Sequence, residues 1–180
     1  SLIKKIANSH NVFFLKRKKK LSGDNVSKID VIKNSLIETE NKYRCKFDII
    51  VDLDVTSPLR SIVDIKNSLK IFKKKKANNL ITVCEARKNP YFNMIQKTKD
   101  KIKVVASRRE YKSRQTAPKV YEMNASIYIW SRNALLKKSM FNPKTIFYKM
   151  PISRSIDIDS EFDFKIVKFI YENKKLFRKL

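Results

Sequence analysis

Apolar positions along the chain change period several times, and each change marks an element. Leu2, Ile3 and Ile6 open the chain at helical spacing, and 11–15 reads as a short strand. Val26, Ile29, Ile32 and Leu36 recur on one helix face, with Asp24 ahead of them as the capping residue. The run 48–53 is rich in β-branched residues and predicts a buried strand, which Pro58, lacking an N–H, cannot continue. A helix over 62–74 follows, with Ile62, Ile65, Leu69 and Phe72 on its apolar face, and then a second buried strand at 80–85. The two strands are expected to be parallel and joined by a right-handed crossover. From 87 to 121 the pattern is less regular, with a strand at 101–106 and a polar loop after it. Strands at 125–130 and 145–150 flank a short helix near 132–138. Ser160 and Asp163 then form an S-x-x-D capping box for a last helix whose buried stripe is Phe162, Ile166 and Ile170. Strands alternating with helices predict one α/β domain over 1–180 with a mainly parallel sheet.

Composition supports a packed core: 42% of the 180 residues are hydrophobic, with 11 Phe, 7 Tyr and 1 Trp among them. The formal charge of +25 invites a polyanion partner, and a basic binding module or catalytically inactive remnant is the alternative to an enzyme. The lysines are spread over the whole chain rather than gathered in a stripe between aromatics, and no nucleic-acid module signature accompanies them. Nucleic acid is therefore not the expected partner. Cys45 and Cys84 stand apart without metal spacing and read as buried thiols, and a single histidine, His10, argues against Ser-His or Cys-His catalysis. No run of 18 apolar residues and no signal peptide pattern is present, so a cytoplasmic protein without a membrane span is expected.

Three clusters carry candidate chemistry. Asp52-Leu-Asp54-Val-Thr56-Ser57-Pro58-Leu-Arg60 lies where a strand gives way to a helix, and open α/β sheets bind ligands beyond the carboxyl ends of their strands. A polar turn with Asp and Ser as caps is the plainer account of the same residues. In Ile156-Asp157-Ile158-Asp159 the alternation puts two carboxylates on one side of an extended segment. Such a pair suits Mg²⁺, which takes one or two carboxylates and completes its shell with water and phosphate. Its plainer account is an acidic helix start. Arg114-Gln115, Tyr121 and Asn124 mix a planar cation, amides and a phenol, suited to a hydroxyl-rich carboxylate ligand, or simply to a solvated loop.

Taken together, these segments resemble the acylneuraminate cytidylyltransferase family. Leu21-Ser-Gly-Asp24-Asn-Val-Ser27-Lys-Ile29-Asp30 is similar to the family's L-x-x-D-x-x-S-x-x-D segment, and Thr56-Ser57-Pro58-Leu59-Arg60 to its T-S-P-L-R turn. Asn89-Pro90-Tyr91-Phe92-Asn93-Met94, then Arg114-Gln115, Tyr121 and Asn124-Ala-Ser-Ile-Tyr128, follow in the family's order, and Ile156-Asp157-Ile158-Asp159 with Glu161, Asp163 and Phe164 matches its close.

The resemblance implies a Rossmann-like three-layer nucleotidyltransferase fold. It also implies coupling of CTP to a nine-carbon sialic-type sugar acid, giving a CMP-sugar and pyrophosphate. On that basis Asp157 and Asp159 are the catalytic pair and hold Mg²⁺. Ser27, Thr56, Ser57, Pro58 and Arg60 border the nucleotide, and Asp54, Arg114, Gln115, Tyr121 and Asn124 face the sugar acid. A homodimer is implied, with the 93–125 region at its interface. The family's N-terminal strand and basic, glycine-containing phosphate loop have no counterpart in a chain with one glycine, Gly23, so an N-terminally truncated domain is expected. Asp54 stands where many members carry Gln, and Ala125-Ser126 where Gly-Ala is usual.

Overall fold

The computed structural model describes residues 1–23, 25–106, 110–137 and 140–177. Its helices are α1 (Leu2–Ser9), α2 (Lys28–Tyr43), α3 (Ile62–Lys74), α4 (Arg132–Leu136) and α5 (Glu161–Glu172). Its strands are β1 (Ile49–Leu53), β2 (Asn79–Glu85), β3 (Ile95–Thr98), β4 (Lys101–Val104), β5 (Tyr121–Ser131) and β6 (Thr145–Lys149), with 3₁₀ turns at Lys19–Leu21 and Ile152–Arg154.

The main sheet has the order β1-β5-β2-β6. Bonds from Asp54 N–H to the Ser126 carbonyl and from Arg132 N–H to that of Asp48 run β5 antiparallel to β1. Ala86 to Val120 and Ser131 to Asn78 do the same between β2 and β5, whereas Asn78 to Lys144 and Met150 to Val83 set β6 parallel to β2. Three strands thus point one way and β5 opposes them, a mixed α/β sheet. β2 is buried from Asn79 to Cys84, as a strand covered on both faces must be, while the outer strands β1 and β6 alternate in exposure. The expectation that 48–53 is fully buried is corrected by this position: Val51 and Leu53 are each 38% exposed at the sheet edge.

Two compact units divide the chain. The first comprises Ser1–Asp52, Phe72–Leu80 and Ile129–Ile146. Its polar centre is Glu40, a buried carboxylate on α2. Arg132 forks onto it through Nε at 2.7 Å and Nη2 at 2.9 Å, and Phe47 N–H adds a third bond at 3.1 Å. Arg132 foremost, against the opposing effect of burial and with help from Phe47 and Lys46, lowers the Glu40 pKa from 4.5 to about 2. Buried Asn79 takes part in a second knot, accepting from Asn142 Nδ2 at 2.9 Å and Thr145 Oγ1 at 2.6 Å, which fixes the entry to β6.

The second unit comprises Leu53–Ile71, Ile81–Tyr128 and Phe147–Leu180. Its last helix starts at the expected capping box: Ser160 Oγ accepts from Asp163 N–H at 3.2 Å and Asp163 Oδ2 from Ser160 N–H at 2.9 Å. Ile166, Val167 and Ile170 form the inward stripe of α5, but Phe162 is 70% exposed. On α3, Ile62 is likewise outside, because the buried ridge is Asp64, Ser68 and Phe72, with Ile65 and Leu69 beside it. A capping carboxylate held by several partners sets the rotation of that helix, overriding the apolar face read from spacing.

Three further expectations change. Residues 11–15 form no strand: Asn11 takes a left-handed φ of 54° and Val12 N–H closes α1 on the Ala7 carbonyl at 2.9 Å. Helix α2 begins at Lys28 with Ser27 in the N-cap position; Asp24, the expected cap, lies outside the described residues, as does Lys138 at the end of the helix expected near 132–138. Cys45 is exposed just past the left-handed C-cap Arg44, while Cys84 is buried as expected.

The lowered Glu40 pKa means this group stabilises the fold above pH 4.5, and that contribution is lost as pH falls from 4.5 towards 2. Denaturant unfolding across this range should show wild type losing its advantage over Glu40→Gln as pH drops; two parallel curves would contradict the assignment.

Candidate functional site

The turn after β1 is built on its own side chains. Asp54 Oδ1 accepts from Thr56 N–H at 3.2 Å and Thr56 Oγ1 at 3.0 Å, the local bonding that makes Asp a turn former. Ser57 is fully buried, and its hydroxyl donates to the Asn124 carbonyl at 3.1 Å. Arg60 Nη1 donates to the carbonyls of Asp54 at 2.6 Å, Ser57 at 2.8 Å and Ser126 at 3.3 Å, so its guanidinium draws the turn and β5 together. Pro58 lies exposed at the tip.

The acidic segment reaches the same place. Ile158 N–H donates to the Thr56 carbonyl at 2.9 Å, bringing the Asp157–Asp159 stretch against the Thr56 turn. Burial first, then the charges of Asp159, Asp163 and Asp54, push the Asp157 carboxyl above its ordinary value. Asp159 is exposed, its N–H on Asp163 Oδ2 at 3.3 Å. Asp163 is lowered by the Ser160 hydroxyl and serves as the cap partner.

Asn124 Nδ2 donates to Ser155 Oγ at 2.9 Å and sits buried beneath this junction. Asp157 opens into a cleft of about 500 Å³ that also holds Arg87, Glu122 and Ser155. Arg114 and Gln115 line a separate, smaller cleft of about 270 Å³ with Glu85 and Lys119, where Arg114 Nη2 donates to the Arg87 carbonyl at 2.7 Å. Tyr121 stands at the start of β5 with its ring 4.9 Å from that of Phe147. Ser27 belongs to the first unit. Asp54, Thr56, Ser57, Arg60, Asn124 and Asp157 are thus gathered at one junction, whereas Arg114 and Gln115 line the other cleft and Tyr121 packs on Phe147.

A divalent cation fits this arrangement. Burial, and after it the charges of Asp159, Asp163 and Asp54, raise the Asp157 carboxyl above its ordinary value, and a hard cation would relieve the repulsive part of that strain. Mg²⁺ takes one or two carboxylates and completes its shell with water and substrate oxygens, so Asp157 with Asp159 would be enough to hold it; among the described residues no group of three or more His, Cys, Asp or Glu forms a cage.

Comparison with known proteins agrees with the family resemblance. The chain is 28% identical over 165 residues to N-acylneuraminate cytidylyltransferase of Streptococcus agalactiae, covering 91% of this chain and 38% of that one. It is 41% identical over 164 residues to CMP-N,N'-diacetyllegionaminic acid synthase of Campylobacter jejuni, covering 91% of this chain and 69% of that protein. The chain belongs to the acylneuraminate cytidylyltransferase family. Another relative, post-translational flagellin modification protein B of Campylobacter coli, is 42% identical with the same coverage. No protein-family model matches. The fold of this cytidylyltransferase family member is similar to CMP:2-keto-3-deoxy-manno-octonic acid synthetase complexed with CTP, with a TM-score of 0.64 over 96% of this chain and 78% of that one at 9% identity.

Sequence reasoning missed Asp64, Arg154, Arg87 and Glu122. Asp64 was legible, since Ser61-Ile-Val-Asp64 is itself an S-x-x-D box. Nothing in the sequence marks the other three, whose partners are distant along the chain.

Ala125 takes a φ of 50° within β5, between Asn124 and Ser126. A left-handed Ala is strained by roughly 1–2 kcal/mol, against about 0.5–1 kcal/mol for the extra freedom of unfolded glycine. Ala125→Gly should therefore stabilise the protein by up to about 1 kcal/mol in urea unfolding; a destabilised variant would show that the strain is absorbed elsewhere.

Proposed function

We propose that this family member is a nucleotidyltransferase that couples CTP to a sialic-type, nine-carbon sugar acid, releasing pyrophosphate. The observation that carries the reading is the Ile158–Thr56 bond, which joins the acidic segment to the T-S-P-L-R turn. Identity of 41% to a CMP-N,N'-diacetyllegionaminic acid synthase supports the substrate class.

In this reading Asp157 and Asp159 hold Mg²⁺, which when bound neutralises charge on the triphosphate. The anomeric hydroxyl of the sugar acid attacks the α-phosphorus of CTP and loses its proton to solvent. The new P–O bond forms as the bond to the β-phosphate oxygen breaks, and pyrophosphate leaves with the electron pair. Thr56, Ser57, Pro58 and Arg60 shape the nucleotide border, Ser57 and Arg60 by holding the turn rigid. Asp54, Arg114, Gln115, Tyr121 and Asn124 serve the sugar acid, with Asn124 acting from beneath. Rigid positioning and charge neutralisation supply the catalysis, so no nucleophile or general base beyond these groups is required.

The chain spans 69% of the length of its Campylobacter relatives. Pyrophosphate release is therefore to be measured for the chain alone and for the chain completed with the part of the Campylobacter jejuni synthase that it does not cover, with Mg²⁺, CTP and sialic-type acids. Turnover in either form supports the reading, and none in both rejects it. In the active form Asp157→Asn or Asp159→Asn should lower kcat about a hundredfold or more, with the fold retained by circular dichroism.

A cytoplasmic homodimer completes the proposal. No described helix is long and apolar enough to cross a membrane. The β3–β4 hairpin carries Ile95 and Ile102 at 66% and 67% exposure, with Met94 and Val105 also exposed, a patch suited to a second copy. Light scattering should show a dimer that Ile95→Lys with Ile102→Lys converts to monomer; an unchanged mass would place the interface elsewhere.

A further inference from the structure

The carboxylate pair of the proposed site lies on a short stretch of chain without regular structure of its own, so something must hold it. Asp64, fully buried at the start of α3, takes a fork from Arg154: Nε to Oδ2 at 2.9 Å and Nη2 to Oδ1 at 3.0 Å. Ser61 N–H and Oγ add bonds to Oδ2 at 2.8 and 2.7 Å. Arg154 ends the 3₁₀ turn Ile152–Arg154, and the residue after it, Ser155, donates to the Pro151 carbonyl at 2.8 Å while accepting from Asn124. Asp157 follows Arg154 by three residues, a reach of about 10 Å at most, so freedom at Arg154 passes directly to the carboxylate. Beyond it, Ile158 N–H is fastened to Thr56.

We propose that Arg154 and Asp64 are positioning residues for the Asp157–Asp159 pair, clamping the segment to the start of α3 so that the carboxylates meet a divalent cation without reorganising. The metal half of this inference rests on the proposed function; the clamp itself does not. Two carboxylates that repel each other drift apart unless their backbone is held, and a planar guanidinium with two fixed bonds holds it better than an ammonium would.

The test uses the full chain with Arg154→Lys, which keeps the charge but loses the fork, and Asp64→Asn, each checked for folding by circular dichroism. Leu135→Ala, which trims a fully buried side chain in the first unit, is the control for lost stability. Hydrogen exchange at the Ile158 amide should accelerate about tenfold in a folded clamp variant and stay unchanged in the control. Affinity for Mn²⁺ alone, read by electron paramagnetic resonance, should fall about tenfold or more in the clamp variant. An unaltered Ile158 exchange rate in folded Arg154→Lys, or an equal acceleration in Leu135→Ala, overturns the clamp. Should Asp157→Asn leave Mn²⁺ binding untouched, or the wild type bind none, the metal reading fails while the exchange data still decide the clamp.

Discussion

A carboxylate taken out of water must find donors, and two such groups organise this molecule. Glu40 in the first unit and Asp64 in the second are both buried, and each receives a forked arginine from a segment about ninety residues further along the chain, Arg132 and Arg154 respectively. The desolvation of an acid is offset only by near-ideal geometry, so each pair fixes the direction as well as the distance of the elements it joins. For Asp64 burial opposes ionisation, and the bonds from Arg154 and Ser61 outweigh it, leaving the group below its ordinary value. Arg154 is raised in turn by Asp64.

The candidate site is assembled by the opposite logic. At Asp157 burial and the like charges of Asp159, Asp163 and Asp54 raise the pKa, even though Arg87 lines the same cleft. Electrostatics here is left incomplete by the protein, and a cation shared with a phosphate-bearing substrate would complete it. Backbone bonds hold that arrangement in place: Ile158 to Thr56, Asp54 to Ser126, and the carbonyls of Asp54, Ser57 and Ser126 gathered on Arg60. Even the left-handed Ala125 belongs to this scaffold, since it lies between the buried Asn124 and Ser126 that brace the turn from behind.

The order of elements was legible because it depends on local chemistry. Helix α3 spans the predicted 62–74, and the capping box of α5 forms as its S-x-x-D spacing requires. The family was legible for a related reason, since its short motifs keep their order whatever surrounds them. Which face each helix buries was read less well. Ile62 and Phe162 have the right period but lie outside, because hydrophobic spacing fixes a face only to within the width of a stripe. The short β3 strand escaped notice because Ile95-Gln-Lys-Thr98 is too brief to display a period, and it exists by pairing with β4.

By itself, then, the sequence determined the succession of strands and helices, the helix caps and the identity of the acidic residues, all of which rest on neighbours a few positions apart. Tertiary structure alone decided that β5 runs against the strands beside it, and that a backbone bond from Ile158 brings the Asp157 segment to the Thr56 turn. It also decided that Arg154 answers Asp64, since a charge shows its sign in the sequence while its partner is chosen by the path of the chain.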